Sequence, residues 1–177
     1  GGWYYYRAYQ QILALQDYNR GLREYSEGRY DSALNAFTRL QSRGEVEYAA
    51  LADIYIANSY MGLREPAKAV ETLSGRILND HDGFLTQVTL VGLGLAQEIN
   101  GSCPDALDTM ARALKLQGPL REEAMLAKAR CSTELGNTPV AIDTYREYLK
   151  EFPDGRTVEI ELLLMRLGAK GPNASSP

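Results

Sequence analysis

Reactive side chains are scarce in this 177-residue sequence, which has one histidine, two cysteines and one tryptophan. With a single His and no Gly-x-Ser-x-Gly elbow, neither a Ser/His/Asp nor a Cys/His catalytic arrangement has its parts. The lone His81 sits between Asp80 and Asp82 in a polar turn, and a metal centre would need further ligands at set spacing. Adjacent carboxylates such as Glu122–Glu123 read as helix surface, and Gly92 and Gly94 lie inside an apolar helical pattern, not in a phosphate loop. No cofactor, no metal and no enzymatic activity are expected. Basic clusters are missing too. The net charge is −4 and the pI near 5.1, which excludes the basic stripe that nucleic-acid binding requires. Long apolar runs are likewise absent, since Phe84–Ala96 and Leu162–Leu167 fall short of the ~18 residues of a membrane span.

What the sequence has is a repeat. The stretch Tyr18–Leu40 holds two helical patterns, Tyr18–Glu27 and Asp31–Leu40, joined by a turn at Gly28. Leu22 and Tyr25, then Ala33, Leu34 and Phe37, recur at three and four residues and mark one apolar face on each helix. A hairpin of this size cannot bury that face alone and needs copies stacked against it. Aligning on the alanine of the second helix reveals them. Ala33, Ala69, Ala106 and Ala141 are spaced 36, 37 and 35 residues apart. Twelve residues earlier stand small residues (Gly21, Ala57, Gly94, Ala129), and four later stand large ones (Phe37, Leu73, Met110, Tyr145). Small columns let paired helices approach, and the large column fills the groove between them. Five residues before each alanine stand Gly28, Arg64, Gly101 and Gly136, so three of the four turns carry the residue best suited to end a helix.

These columns resemble the tetratricopeptide repeat (TPR), whose period is close to the observed spacing. The family's first-helix Trp is absent, and its other marks survive singly, at Tyr60, Ala113 and Pro153. The expected fold is all-α: a TPR-like right-handed α-solenoid of about four helical hairpins. The repeats fall at about 15–45, 46–80, 84–118 and 120–153. A long N-terminal helix precedes them, a capping helix over 157–167 closes them, and 169–177 forms a disordered tail behind a single domain, 1–168. Pro66, Pro104 and Pro139 each stand in the first turn of a second-type helix, where the missing N–H costs nothing.

In TPR proteins the first helix of each pair lines a concave groove. Carried over, that groove would present Tyr18, Asn19, Leu22 and Tyr25, then Ile54, Tyr55 and Asn58, then Val91 and Leu95, then Leu126 and Arg130, with packing between repeats as the alternative for each and for the aliphatics above all. The family's carboxylate clamp needs several Lys and Asn there, and only Asn19, Asn58 and Arg130 resemble it. Aromatic and aliphatic residues with one or two amides fit an extended or helical apolar segment of a protein or peptide better.

Two features bear on location. Trp3, Tyr4, Tyr5, Tyr6 and Tyr9 crowd the start, either packed on the first repeat or forming the interfacial belt of a membrane helix upstream. The aromatic start, long first helix and closing helix also resemble bacterial inner-membrane-anchored TPR proteins that associate with the Sec translocon and periplasmic chaperones. The match rests on Gly2-Trp3-Tyr4-Tyr5. The run from Tyr145 to Gly155 resembles periplasmic division and outer-membrane-assembly TPR proteins. This likeness implies a periplasmic, membrane-tethered adaptor with a translocon, chaperone or envelope-assembly component as partner; the alternatives are a cytoplasmic address and a scaffold self-associating through its first helix. Cys103 opens one helix and Cys131 ends the next, so antiparallel stacking brings them near one another. Two buried free thiols are expected, with a disulfide as the alternative.

Overall fold

The structure, a computed structural model, describes residues 1–43, 46–77 and 83–169. Among these residues all regular structure is helical: α1 (Gly2–Ser26), α2 (Tyr30–Ser42), α3 (Val46–Gly62), α4 (Pro66–Ile77), α5 (Gly83–Ile99), α6 (Cys103–Ala113), α7 (Arg121–Glu134), α8 (Thr138–Glu151) and α9 (Thr157–Arg166). The polar turn with His81, and the tail from residue 170, lie outside the described residues. Each helix packs on its neighbours in sequence, and the first helices α1, α3, α5 and α7 also each touch the next. Among the described residues the second helices α2, α4, α6 and α8 do not touch one another. The result is an α-solenoid of two layers, with α9 closing it against α8.

The column pattern has a direct physical basis. Gly21 lies under the Phe37 ring, so close that an added Cβ would sit 2.6 Å from it. Gly94 holds the Met110 side chain in the same way, at 2.5 Å. Ala57 with Leu73, and Ala129 with Tyr145, share buried clusters. All four alanines of the alignment are buried. A small residue on the first helix thus admits the large one on the second, and the pairing distance is set by that contact.

Helix ends follow one rule as well. Gly28, Gly101 and Gly136 adopt φ of 75°, 77° and 74°, and Arg64 reaches 61° at the same column. In each turn this residue donates its N–H three residues back and the next residue donates five back, for example Arg64 to Met61 and Glu65 to Tyr60 at 3.0 and 2.8 Å. Orphan carbonyls at the helix end are thereby satisfied. Arg64 holds the glycine conformation without being glycine.

Helix α1 is almost twice as long as α2, and the Gly21–Phe37 contact fixes their register, so α2 ends before reaching the start of α1. Trp3, Tyr4, Tyr5, Tyr6 and Tyr9 therefore remain 58–75% exposed. They do not pack on the first repeat, which corrects one of the two expectations for them. The cysteines differ from expectation too. The start of α6 lies against the end of α7, Cys103 and Cys131 are 5.2 Å apart at Cα, and the two are joined as a disulfide.

Candidate interaction surface

The clearest side-chain assembly on the first helices is aromatic. Tyr18 and Tyr25 of α1 stand seven residues apart, and Tyr48 and Tyr55 of α3 face them. Tyr18 lies 5.5 Å from Tyr48 and 6.4 Å from Tyr55 between ring centres, and Tyr25 lies 5.5 Å from Tyr55. Tyr55 in turn stacks on Phe37 at 4.9 Å with the planes 8° apart. Tyr18, Tyr25, Tyr48 and Tyr55 are all half-buried. Burial, reinforced by the neighbouring tyrosines, pushes the Tyr18 and Tyr25 hydroxyls above the usual phenol range. They are neutral hydrogen-bonding groups at any ordinary pH. Seven residues before Tyr55, Tyr48 also walls a recess of about 370 Å³ with Ala8, Ile12 and Leu15. The uncovered aromatic start of α1 runs on from there.

The anticipated groove residues meet different fates. Tyr18, Leu22, Tyr25 and Tyr55 come together, with the first cluster of the core behind them. Asn58 is half-buried on the same helix as Tyr55, whereas Asn19 is exposed beside Gln16, Arg20 and Arg23, in a separate polar recess. Arg130 is already engaged, because its guanidinium grips Glu98 of α5 through two hydrogen bonds of 2.7 and 2.9 Å. Its charge ties the third pair of helices to the fourth. Val91 and Leu126 are buried, at 3% exposure each, and belong to the core, not to a groove. Val91 sits among residues of α5, α6 and α7, and Leu126 among those of α7, α8 and α9. Tyr48 escaped the sequence reading, although its spacing of seven from Tyr55 marks the same face.

Four copies of one hairpin are thus on view, with a small-to-large contact inside each and a glycine-like turn between helices. Residues 91–156 match the tetratricopeptide repeat family model. The matched stretch is the third and fourth hairpins, from within α5 through α8. Among solved structures, the crystal structure of MamA protein superposes with a TM-score of 0.69 at 18% identity, covering 80% of this chain and 74% of that one. A thermophilic TPR protein of Thermus thermophilus matches over 87% of this chain and 98% of its own at 17% identity, with a TM-score of 0.41. The first of these supports the fold, and the second is too distant in shape to add to it. No curated protein matches the sequence. TPR domains serve as surfaces for proteins or peptides.

Proposed function

We propose that the chain is a non-enzymatic interaction module, the periplasmic part of a membrane-tethered adaptor or chaperone-like protein acting on translocated or envelope proteins. The observation that carries this is the aromatic face of α1 and α3, which continues without interruption into the uncovered start of α1. Tyrosines give large contact area with few rotamers to order, and flanking Ile12 and Leu15 add apolar surface. Such a face suits an apolar segment of a client. The Cys103–Cys131 disulfide supports an oxidising compartment such as the periplasm, and the crowded Trp and Tyr at the start suit a position near a membrane surface.

The test is site-specific photocrosslinking in cells producing the full-length protein, with the probe at Ile12 or Leu15, and at Glu161 on the outer face of α9 as control. Crosslinks to envelope or translocating proteins from the first two positions alone are expected. Equal yields from all three positions would remove the support for this face.

A second reading is favoured by the same exposed turns of α1, namely a scaffold that self-associates through them. Sedimentation of the chain with and without residues 1–12 separates the two readings. A concentration-dependent oligomer lost on trimming selects the scaffold, and a monomer in both cases selects the adaptor.

A further inference from the structure

Repetition allows one pair of positions to be compared in four settings. Sixteen residues before the aligned alanines stand Asp17, Asp53, Leu90 and Met125, and seven after them stand Leu40, Arg76, Ala113 and Tyr148. In the third and fourth hairpins all of these are core, from 0% to 4% exposed. In the first hairpin Asp17 is enclosed by cations, with Arg43 Nε donating at 2.7 Å and Arg39 forming an ion pair at 3.6 Å. The second hairpin is different. Asp53 and Arg76 face each other at 3.8 Å from Nη1 to Oδ2, and the Gln41 amide donates to the other Asp53 oxygen.

A charged pair at a position built for apolar packing carries a desolvation cost, which attraction recovers only when every donor and acceptor is satisfied. Here they are not. Arg76 has one long ion pair for a guanidinium with five N–H donors, and its Nε is shut off from solvent with no acceptor. Beside it lies a recess of about 620 Å³, lined by Gln41 of α2, Asp53 and Tyr60 of α3, and Lys68, Thr72 and Arg76 of α4. Because α2 and α4 do not touch, it opens between the second helices, away from the aromatic face of α1 and α3. Lys68 stands at its rim, held to Glu65 by an exposed contact of 3.3 Å, a kind of pair that yields readily to a competitor. Glu71 is the opposing charge, exposed at the same rim.

We infer that this recess is a binding site for an oxyanion, a carboxylate of a peptide or a phosphate, seated on Arg76 with Lys68 as the second cation. Asp53 is a positioning residue. Held by Gln41, it keeps the guanidinium at the recess through Nη1; with Nε shut off from solvent, Nη2 is the donor left for a charge-assisted contact with the anion. The site is independent of whatever covers the first-helix face.

The experiment is a ¹H–¹⁵N NMR titration of the full chain with sodium acetate, N-acetylglutamyl amide and inorganic phosphate, against sodium chloride at equal ionic strength. Saturable shifts are expected at the amides of residues 53 and 72–76 and at Arg76 Nε–H. Arg76→Gln should weaken binding at least about tenfold, the loss expected for hydrogen bonds to a charged group. Asp53→Asn should tighten it by removing a competing carboxylate, a change that a purely structural pair would not produce. Should Arg76→Gln fail to fold, Lys68→Ala at the exposed rim provides the second test, with a several-fold loss expected. Saturation by acetate and the glutamyl amide assigns a peptide carboxylate, and saturation by phosphate alone assigns a phosphoryl group. Shifts no larger than those with chloride, or equal shifts in wild type, Arg76→Gln and Lys68→Ala, would overturn the inference.

Discussion

Arg64 offers a stability test whose sign is set by the backbone alone. It occupies the turn column filled elsewhere by Gly28, Gly101 and Gly136, with φ 61° against 74–77°. Its turn carries the same two hydrogen bonds, at 3.0 and 2.8 Å, as that of Gly101. Nothing is gained by the arginine in that geometry, since no hydrogen bond or ion pair of its side chain is seen among the described residues. A left-handed conformation costs a residue with a Cβ roughly 1–2 kcal/mol. Glycine in the unfolded chain loses about 0.5–1 kcal/mol more on ordering. Arg64→Gly should therefore stabilise by a net of about 0.5–1 kcal/mol, or some 1–4 °C in Tm for a chain of this size. The reciprocal change, Gly28→Ala, should destabilise by about 1 kcal/mol, because an added Cβ meets no neighbour there and the backbone conformation is the whole effect. Urea unfolding followed by circular dichroism measures both, with the slope checked because repeat arrays can unfold in stages. A midpoint for Arg64→Gly at or below wild type, with unchanged slope, would refute the equivalence of the four turns.

Three further outcomes are expected. Gly21→Ala should destabilise by about 1–3 kcal/mol through the clash with Phe37, and Gly94→Ala by less, since the Met110 thioether can bend away where an aromatic ring cannot; urea midpoints of the two variants rank them. Replacing Cys103 and Cys131 together by alanine should cost about 3–4 kcal/mol from the loop that their separation of 28 residues closes, and an identical midpoint with and without reductant in the wild type would show the bridge to be absent. Arg121, donating to Glu151 at 2.7 Å, holds that carboxyl below its ordinary value of 4.5; a depressed folded value means stability that is complete above 4.5 and lost as pH falls through the lower folded value. Arg121→Ala should therefore flatten the fall of Tm on acidification below that point, and an unchanged acid limb would count against the pair.

Hairpin count, the pairing of small with large columns and the turns between helices were all legible in the sequence alone. Those features are local or strictly periodic: a Gly21 that must admit Phe37, or a Gly136 that must turn left-handed, constrains residues whose spacing is visible in one dimension. The capping helix at 157–166 was equally visible, because its outward charges alternate with Ile160, Leu163 and Leu164 at helical spacing. What each apolar or charged side chain finally meets was a matter for tertiary packing. Val91 and Leu126 are aliphatic like groove residues, and only tertiary packing buries them, Val91 among residues of α5, α6 and α7 and Leu126 among those of α7, α8 and α9. Arg130 reads as a free cation until Glu98, 32 residues away, accepts from the Nε and Nη2 edge of its guanidinium. Whether Trp3 and its tyrosines pack depended on where α2 runs out along α1. Asp53 and Arg76 look like ordinary surface charges in the sequence, and the uncovered gap between α2 and α4 is what turns them into a recess. In each case the deciding partner lies on another helix. Helical spacing specifies the face a residue occupies, and packing alone specifies what that face touches.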